Sequence, residues 1–329
     1  MNAVCRNCGS TSVIEVDQGF LAPFFAKRVH GIDVSTFGHD LQSAVENTPH
    51  SFKRTVGIRV QKYLRRFASA RRALEHRSSM KVPLQVCQDC TFVGPRRAYR
   101  AEELLPLYED YRSATYNADR SAYEPNYSVI QDLVGKSAGE VQSRLDNIAS
   151  LLADVLDPTS VRTVIDWGGG DGRFVPLALR KSRVLIVEVS DEPLVDPSFV
   201  RLAMAPDGTK AEYIQVCHLL EHVSSPRALL AQVLRHASDE AIIYLEVPLD
   251  RSTEEIVRFQ EQDGSVRHGI HEHLNLFSIE SLRRLGTSQG LSELDVREVV
   301  LDLGWTQLTV LCGLFRFPGA TGAGPSPRT

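Results

Sequence analysis

The stretch Thr163-Val-Ile-Asp-Trp-Gly-Gly-Gly-Asp-Gly-Arg-Phe174 decides the fold that this sequence predicts. Its β-branched residues predict a short buried strand that ends at Asp166. The glycines at 168, 169, 170 and 172 leave the backbone free to adopt positive φ and to lie against a ligand. Residues 174–179 continue with apolar side chains at helical spacing. A strand, a glycine turn and a helix N-terminus predict a cradle of N–H groups for a nucleotide-like ligand, with a plain tight turn as the alternative.

The spacing of this motif, Asp166-x-Gly168-x-Gly170-x-Gly172, differs from the dinucleotide-binding pattern G-x-G-x-x-G. It resembles the D-x-G-x-G-x-G motif of class I S-adenosylmethionine-dependent methyltransferases, and the resemblance extends over residues 140–316. The resemblance implies an α/β fold: a Rossmann-like methyltransferase sheet with helices on both faces. It also implies S-adenosylmethionine as the cofactor.

The segments around the motif predict alternating strands and helices. Strands are predicted over residues 183–188, 200–205, 213–217, 241–247, 294–301 and 306–315, and helices over 141–156, 226–236 and 279–285. Glu188 ends the second strand, where an acidic side chain can accept both ribose hydroxyls; a chance strand-end Glu is the alternative. The resemblance implies that Asp166, Gly168, Gly170, Gly172 and Glu188 bind the cofactor. We add Met204 and His218 as candidates; for the adenine base Asp207 is an alternative, while Met204 and Ala205 lie closer to where the base is expected.

Length and composition bound the architecture. The chain has 329 residues, of which 43% are hydrophobic and 24% charged, as in ordinary globular proteins. We expect a zinc-binding N-terminal domain over residues 1–130, a methyltransferase domain over 131–317 and a disordered tail over 318–329. No apolar run reaches the ~18–20 residues of a membrane span, and the first residues lack a signal peptide. A cytoplasmic enzyme is therefore expected.

A strongly basic block interrupts the N-terminal part of a chain whose formal net charge is −4. Residues 53–81 hold ten Lys or Arg against Glu75 alone, and apolar residues between 56 and 74 recur at helical spacing. One amphipathic helix explains both patterns. Its basic face is either solvated or bound to an anionic partner: a nucleotide-sugar phosphate, an anionic lipid or a nucleic acid.

Four of the six cysteines form two pairs, Cys5-x-x-Cys8-Gly9 and Cys87-x-x-Cys90. Two such pairs can present four thiolates to one tetrahedral Zn²⁺, while free thiols or a redox pair are the alternatives. Because four Cys leave no open position, the zinc would be structural. Cys217 and Cys312 lie in apolar strand-like runs and are expected to be core residues.

A tyrosine-rich segment follows the second cysteine pair and contains Tyr108, Tyr111, Tyr116, Tyr123 and Tyr127. We expect a loop that either closes over a ligand or fills a seam between domains. The order of cysteine pairs, tyrosine segment and glycine motif resembles the zinc-containing branch of the methyltransferases. That branch includes sugar C-methyltransferases and related glycan and secondary-metabolite methyltransferases; the long insert of this chain departs from it.

Two histidine-rich segments are candidates for the chemistry. His218-Leu-Leu-Glu-His222 matches the H-x-x-E-H signature of zinc peptidases, but a strand-to-helix turn is the wrong context for it. The second segment is Ile270-His271-Glu272-His273, in which a metal-binding triplet is one interpretation.

Acid–base chemistry is the other interpretation of these segments. The resemblance implies that His222 and His273 are the catalytic histidines, and we expect His271 and Glu221 as supporting groups. Ile270 stands where that branch has a Tyr, which weakens the case for C-methylation of a keto sugar.

These observations favour transfer of a methyl group from S-adenosylmethionine to an oxygen or carbon of a small polar acceptor, with a His as general base. Sugars, nucleotide sugars, other phosphate-bearing molecules and secondary metabolites are candidate acceptors. A zinc-containing RNA methyltransferase and a non-catalytic scaffold with the same fold are the alternatives.

Overall fold

The computed structural model describes residues 4–31, 81–108, 110–111, 113–124, 127, 135–250, 256 and 268–318. The predicted basic helix between residues 56 and 74 lies outside the described residues, as does the tail from residue 319. Within the described part, no helix is long and apolar enough to cross a membrane.

Strands and helices follow one another along the chain in three groups. The first group is β1 Val13–Leu21, α1 Pro23–His30, β2 Lys81–Cys87, β3 Val93–Pro95, α2 Ala101–Tyr108, α3 Ala114–Tyr123 and α4 Ala138–Leu152. The second is β4 Thr163–Trp167, β5 Arg183–Val187, β6 Val200–Leu202, β7 Ala211–Cys217, α5 Pro226–Leu234 and β8 Ala237–Pro248. The last is β9 His268–Ile270, α6 Ile279–Thr287, β10 Ser292–Asp302 and β11 Gln307–Arg316.

The larger sheet has the strand order β10-β11-β8-β7-β4-β5-β6. Strands β4 to β8 run parallel, while β11 pairs antiparallel with both β8 and β10. The six strands predicted after the glycine turn and the strand before it are all present, with boundaries that differ by a few residues. Because β4 has β5 on one side and β7 on the other, the chain changes direction there, and a crevice forms at the carboxyl ends of these strands.

Helices cover both faces of this sheet, as expected. Val164 of β4 packs with Ile148 of α4 in one apolar cluster. The next residue, Ile165, points to the opposite face and packs in a second cluster with Leu230 of α5 and Leu282 of α6. Alternate side chains of one strand thus supply two cores, as a strand buried on both faces requires.

The predicted helix after the glycine turn is absent. Residues 168–182 form turns, with a single 3₁₀ turn at Leu177–Leu179. Pro176 adopts an extended conformation (φ −53°, ψ 133°) and has no N–H to donate, so a helix cannot run through it. The Arg180 side chain instead donates to the Val175 and Arg173 carbonyls. Apolar spacing alone was therefore a misleading signal for this segment.

The smaller sheet has the order β3-β2-β1-β9. Strand β9 is contributed by a much later part of the chain and lies parallel to β1, with His268 opposite Gly19. A third apolar cluster beneath this sheet contains the fully buried Phe25, Leu107, Tyr116 and Ile270. The smaller sheet and its helices are therefore completed by a segment that adjoins the histidines at 271 and 273.

The tyrosine-rich segment is partly helical, contrary to the predicted loop. Ser113 caps α3 by accepting a hydrogen bond from the Tyr116 N–H, and the helix continues to Tyr123. Tyr116 is fully buried and packs edge-on against Phe24 at a ring-centroid distance of 5.2 Å. Burial of one face of the segment stabilises the helix, although Asn117 within it and Pro125 and Asn126 after it are residues typical of loops.

Candidate active site

The glycine turn lies at the carboxyl end of β4 and is open on one side. Gly168, Gly170 and Gly172 all have positive φ, at +75°, +56° and +81°. A Cβ added to Gly170 would meet no atom within 4 Å, so the turn presents bare backbone to free space there. A flat ligand can lie directly against this backbone.

Asp166 is buried beneath the turn. Its side chain is 1% exposed, and neither carboxylate oxygen has a hydrogen-bond partner among the described residues. Burial raises the pKa of Asp166 to about 7. A buried carboxylate without a donor is costly, which marks a place where a ligand with N–H or O–H groups, or a cation, fits.

Glu188 follows β5 directly and reaches the same turn. Its Oε2 accepts a hydrogen bond from the Gly170 N–H at 3.1 Å, and its Oε1 accepts from the Val189 and Ser190 N–H groups at 2.8 and 2.9 Å. Met204, two residues beyond β6, is 56% exposed and contacts Gln232. The residues predicted for the cofactor therefore lie at the ends of adjacent strands, with Glu188 closest to the turn.

His218 adjoins a buried ion-pair network. Its Nε2 lies 3.1 Å from Glu246 Oε1, and Arg144 Nη2 lies 2.6 Å from the same oxygen. Burial opposes ionisation of Glu246, but Arg144 and His218 outweigh it and lower its pKa to about 2. The Arg144 guanidinium also lies 3.6 Å from the centroid of the Phe174 ring. Arg144 thus joins the glycine segment to the histidine segment.

Neither Arg144 nor Glu246 was singled out from the sequence. The sequence did contain one signal for such a pair, which is Glu246 inside the apolar strand predicted over residues 241–247. A carboxylate buried in a strand requires a cationic partner.

The segment from His218 to His222 forms a turn at the end of β7. His218 has a φ of +51°, and residues 218–224 contain no helix. The two histidines therefore do not share a helical face, so the geometry of a zinc peptidase is not present. The turn packs against the glycine turn, since a Cβ on Gly168 would lie 2.8 Å from Leu219 Cδ2.

Glu221, His222 and His273 come together beside this turn. One ligating atom from each lies within 4.8 Å of the other two, and His222 Nε2 is 3.7 Å from Glu221 Oε1. The imidazole rings of His222 and His273 meet edge to face with centroids 4.9 Å apart. Burial and the neighbouring His222 lower the pKa of His273, so its imidazole is neutral near pH 7.

Tyr108, at the end of α2, also reaches this cluster. Its hydroxyl lies 3.2 Å from His222 Nδ1 and donates to the Glu272 carbonyl at 3.1 Å. His222 Nδ1 lies 3.0 Å from the same carbonyl. Burial raises the pKa of Tyr108 well above 10, so its hydroxyl stays protonated. Among five tyrosines in this segment, the sequence offered no signal that this one would reach the histidines.

The neighbours of His273 in sequence point elsewhere. His271 Nδ1 lies 2.7 Å from Glu124 Oε1, and the Glu272 carboxylate accepts from Arg120 Nη1 at 2.8 Å. Burial opposes ionisation of Glu124, but His271 and Arg120 lower its pKa to about 2. The side chains of His271 and Glu272 thus contact other residues and do not converge with His273, which excludes a metal site made of these three residues.

The four cysteines of the two Cys-x-x-Cys pairs converge. Their sulfurs lie within 4.8 Å of one another; Cys5 and Cys90 are 3.8 Å apart, and Cys8 and Cys87 are 3.7 Å apart. The Asn7 amide donates to Cys90 Sγ and to the Ser281 carbonyl at the start of α6. The cluster thus connects the chain's N-terminal segment to the larger sheet's helix layer. Cys217 and Cys312 are buried and lie outside this cluster.

Comparison with known families assigns a domain. Residues 139–296, just under half of the chain, match the family model described as a methyltransferase domain. The matched range begins in α4 and ends in β10, and it includes the glycine turn, the His218–His222 turn and His273. No curated protein matches the sequence.

Several solved structures are similar to the chain at low identity. The Burkholderia thailandensis 1,6-didemethyltoxoflavin-N1-methyltransferase, with 1,6-didemethyltoxoflavin and S-adenosylhomocysteine bound, is 17% identical, with coverage of 60% of this chain and 87% of that chain and a TM-score of 0.43. The N-methyltransferase NodS from Bradyrhizobium japonicum, in complex with S-adenosylhomocysteine, is 11% identical, with coverage of 56% and 90% and a TM-score of 0.37.

An S-adenosylmethionine-dependent methyltransferase from Clostridium acetobutylicum is also similar. It is 11% identical, with coverage of 60% of this chain and 99% of that chain and a TM-score of 0.39. Likeness at these TM-scores is too low for any residue or substrate of those proteins to be transferred to this chain.

Proposed function

We propose that this protein, whose residues 139–296 match a methyltransferase domain, is an S-adenosylmethionine-dependent enzyme that transfers the methyl group to an oxygen or carbon of a small polar acceptor. Sugars, nucleotide sugars and secondary metabolites are the acceptor classes proposed. The observation that carries the proposal is the open glycine turn above the unpartnered Asp166 carboxylate, at the crevice of a methyltransferase sheet.

The cofactor would occupy the carboxyl ends of β4, β5 and β7. The cofactor's amino group suits the buried Asp166 carboxylate, and the bare backbone at Gly170 permits close approach. Glu188 would exchange its backbone partners for ribose hydroxyls, with Met204 and His218 at the flanks of the site. When bound, the cofactor supplies an electrophilic methyl group on a sulfonium.

The acceptor would lie beside Glu221, His222 and His273. Holding the two partners in line contributes several kcal/mol to lowering a barrier of this kind. A neutral imidazole can take the proton that the nucleophile loses, and His273 or His222 would do so in metal-free protein. Glu221 would stabilise the imidazolium, while His271 would act from the periphery through Glu124.

The four cysteines would hold a structural zinc. Four sulfurs at about 2.3 Å from one Zn²⁺ lie roughly 3.8 Å apart in a tetrahedron. The distances of 3.7 and 3.8 Å between paired sulfurs fit this geometry. The zinc would fix the N-terminal segment against α6 and take no part in the transfer.

Calorimetric titration of S-adenosylmethionine and S-adenosylhomocysteine, with zinc determined on the same sample, tests the proposal. We expect micromolar binding and about one zinc per chain. Gly170→Asn would place a side chain in the open space and abolish binding. Gly208→Asn is the matched control, because Gly208 also has a positive φ (+78°) and free space around it.

Failure to bind either molecule in folded, zinc-loaded protein would overturn the catalytic proposal and favour a scaffold with the same fold. RNA binding with steep salt dependence would instead favour a nucleic-acid acceptor.

A further inference from the structure

We propose that Glu221, His222 and His273 form a divalent transition-metal site that is separate from the four-cysteine cluster. The proposal rests on the proposed function in one respect only, which is that the acceptor lies beside these side chains. The binding of the metal itself can be measured without any acceptor or cofactor.

The hydrogen bonds of His222 fix its tautomer. Its Nδ1 lies 3.0 Å from the Glu272 carbonyl oxygen, which can only accept. The Tyr108 hydroxyl, 3.2 Å from Nδ1, donates its one proton to the same carbonyl. With that arrangement Nδ1 carries the ring proton, and the unprotonated Nε2 of the neutral ring lies 3.7 Å from Glu221 Oε1. Two lone-pair atoms this close repel each other, and a metal ion between them would turn that repulsion into two ligand bonds.

The Glu221 carboxylate also lacks a conventional partner. Its side chain is 1% exposed, and neither oxygen has a hydrogen bond from the described residues. His218 Nδ1 is 3.5 Å from Oε1, which is too long for a good hydrogen bond. An ionised carboxylate in such a place must be compensated, and a metal ion would compensate both oxygens and the two imidazoles.

The distances suit a small ion. Metal–ligand bonds of about 2.0–2.2 Å allow two ligating atoms to lie up to roughly 4.2 Å apart. The separation of 3.7 Å between Glu221 and His222 falls within that limit, and all three atoms lie within 4.8 Å of one another. A shift of about 0.6 Å in the position of one ligating atom would bring all three within that limit.

The surroundings support the three ligands. A metal-binding His normally donates its second ring N–H to a carbonyl or carboxylate, as His222 does in this cluster. The Glu221 carbonyl accepts from the Leu274 and Asn275 N–H groups at 2.7 and 3.0 Å, which ties its backbone to the segment after His273. The ligands from two distant segments are thus held in register.

The ligand set indicates the class of metal. Two imidazoles and one carboxylate suit Zn²⁺, Fe²⁺, Co²⁺ or Mn²⁺, whereas Mg²⁺ and Ca²⁺ prefer oxygen alone. Three protein ligands leave at least one position open for an acceptor oxygen. A hydroxyl bound there loses its proton more readily, so in metal-loaded protein the histidines would act as ligands and not as bases.

Cobalt is the probe that tests the site. Co²⁺ is titrated into protein whose cysteine cluster is already loaded with zinc, and visible absorption and bound metal are measured after gel filtration. We expect one additional Co²⁺ per chain, with weak d–d bands and no thiolate charge-transfer band. Binding should weaken by roughly tenfold or more in Glu221→Gln and in His273→Ala. His271→Ala, which removes an imidazole outside the triad, should retain the cobalt.

Two results would overturn the metal site. One is the absence of cobalt beyond the cysteine cluster in folded protein, which would leave no metal between His222 and Glu221. The other is cobalt retained in both Glu221→Gln and His273→Ala. S-adenosylmethionine titration of the same samples separates the two proposals, because normal cofactor binding without cobalt rejects the metal alone. Cobalt binding without cofactor binding would reject the proposed function and keep the metal.

Discussion

Gly168 packs directly against Leu219, so that a Cβ on Gly168 would lie 2.8 Å from Leu219 Cδ2. The contact joins the turn that is proposed to hold the cofactor to the turn that carries Glu221 and His222. A displacement of either turn therefore displaces the other.

Gly168→Ala should weaken cofactor binding and lower the melting temperature together. The new Cβ would displace Leu219, and the φ of +75° adds strain of about 1–2 kcal/mol. Leu219→Ala in the same chain removes the 2.8 Å contact and leaves only Leu219 Cβ at 3.2 Å, so the double variant should bind the cofactor more tightly than Gly168→Ala alone. Calorimetry and thermal unfolding of the three variants check this. Strictly additive losses would show that the contact does not couple the turns.

Asp166→Asn should stabilise the cofactor-free protein while weakening cofactor binding. Burial raises the pKa of Asp166 to about 7, so folding costs free energy once the carboxyl ionises. Well below pH 3.8 the group is protonated in both states, and the substitution should be neutral there. The penalty grows between pH 4 and 7, and at pH 8 the variant should be more stable by about 1–3 kcal/mol.

Urea unfolding of wild type and Asp166→Asn at pH 4, 6 and 8 measures this difference. Equal stability at pH 8 would mean that the ionised carboxylate is compensated in the cofactor-free protein, with the Gln215 side chain and Arg144, which both act to lower this pKa, as the candidates.

His273→Ala should lower kcat by about 10²–10⁴-fold for an acceptor found by screening, in buffer without added transition metal. Because burial and His222 lower the pKa of His273, kcat/KM of the wild type should rise with pH to a plateau, with its midpoint below 6.5. The His271→Ala variant is the control, since that imidazole pairs with Glu124, and it should lose much less activity. An unchanged pH profile in His273→Ala would remove His273 as the base.

The sequence predicted those parts of the molecule that local patterns encode. The strand from Thr163, the turn at Gly168 to Gly172 and the hairpin of β10 and β11 follow from periodicity and glycine spacing. The predicted helix over residues 174–179 was wrong because Pro176 outweighs the apolar spacing around it.

Contacts between distant residues could not be predicted in the same way. Arg144 and Glu246 lie about a hundred residues apart, and nothing in a single sequence pairs them. Glu221 and His222 were singled out with His273, but only the fold brings them to one place, and it sends the adjoining His271 to Glu124. The side-chain directions at such a cluster depend on packing, which spacing along the chain does not encode.

The parallel pairing of β9 with β1 has a consequence for how the chain acquires its native state. The smaller sheet is complete only when the strand at His268 pairs with the strand at Gly19. The loop that this pairing closes spans most of the chain. Closing so long a loop is entropically costly and slow. During synthesis the first strand would leave the ribosome long before its neighbour, with one edge unpaired. The segment that carries His273 directly follows the strand that closes this edge, so we expect the histidine cluster to form only once that strand has paired with β1.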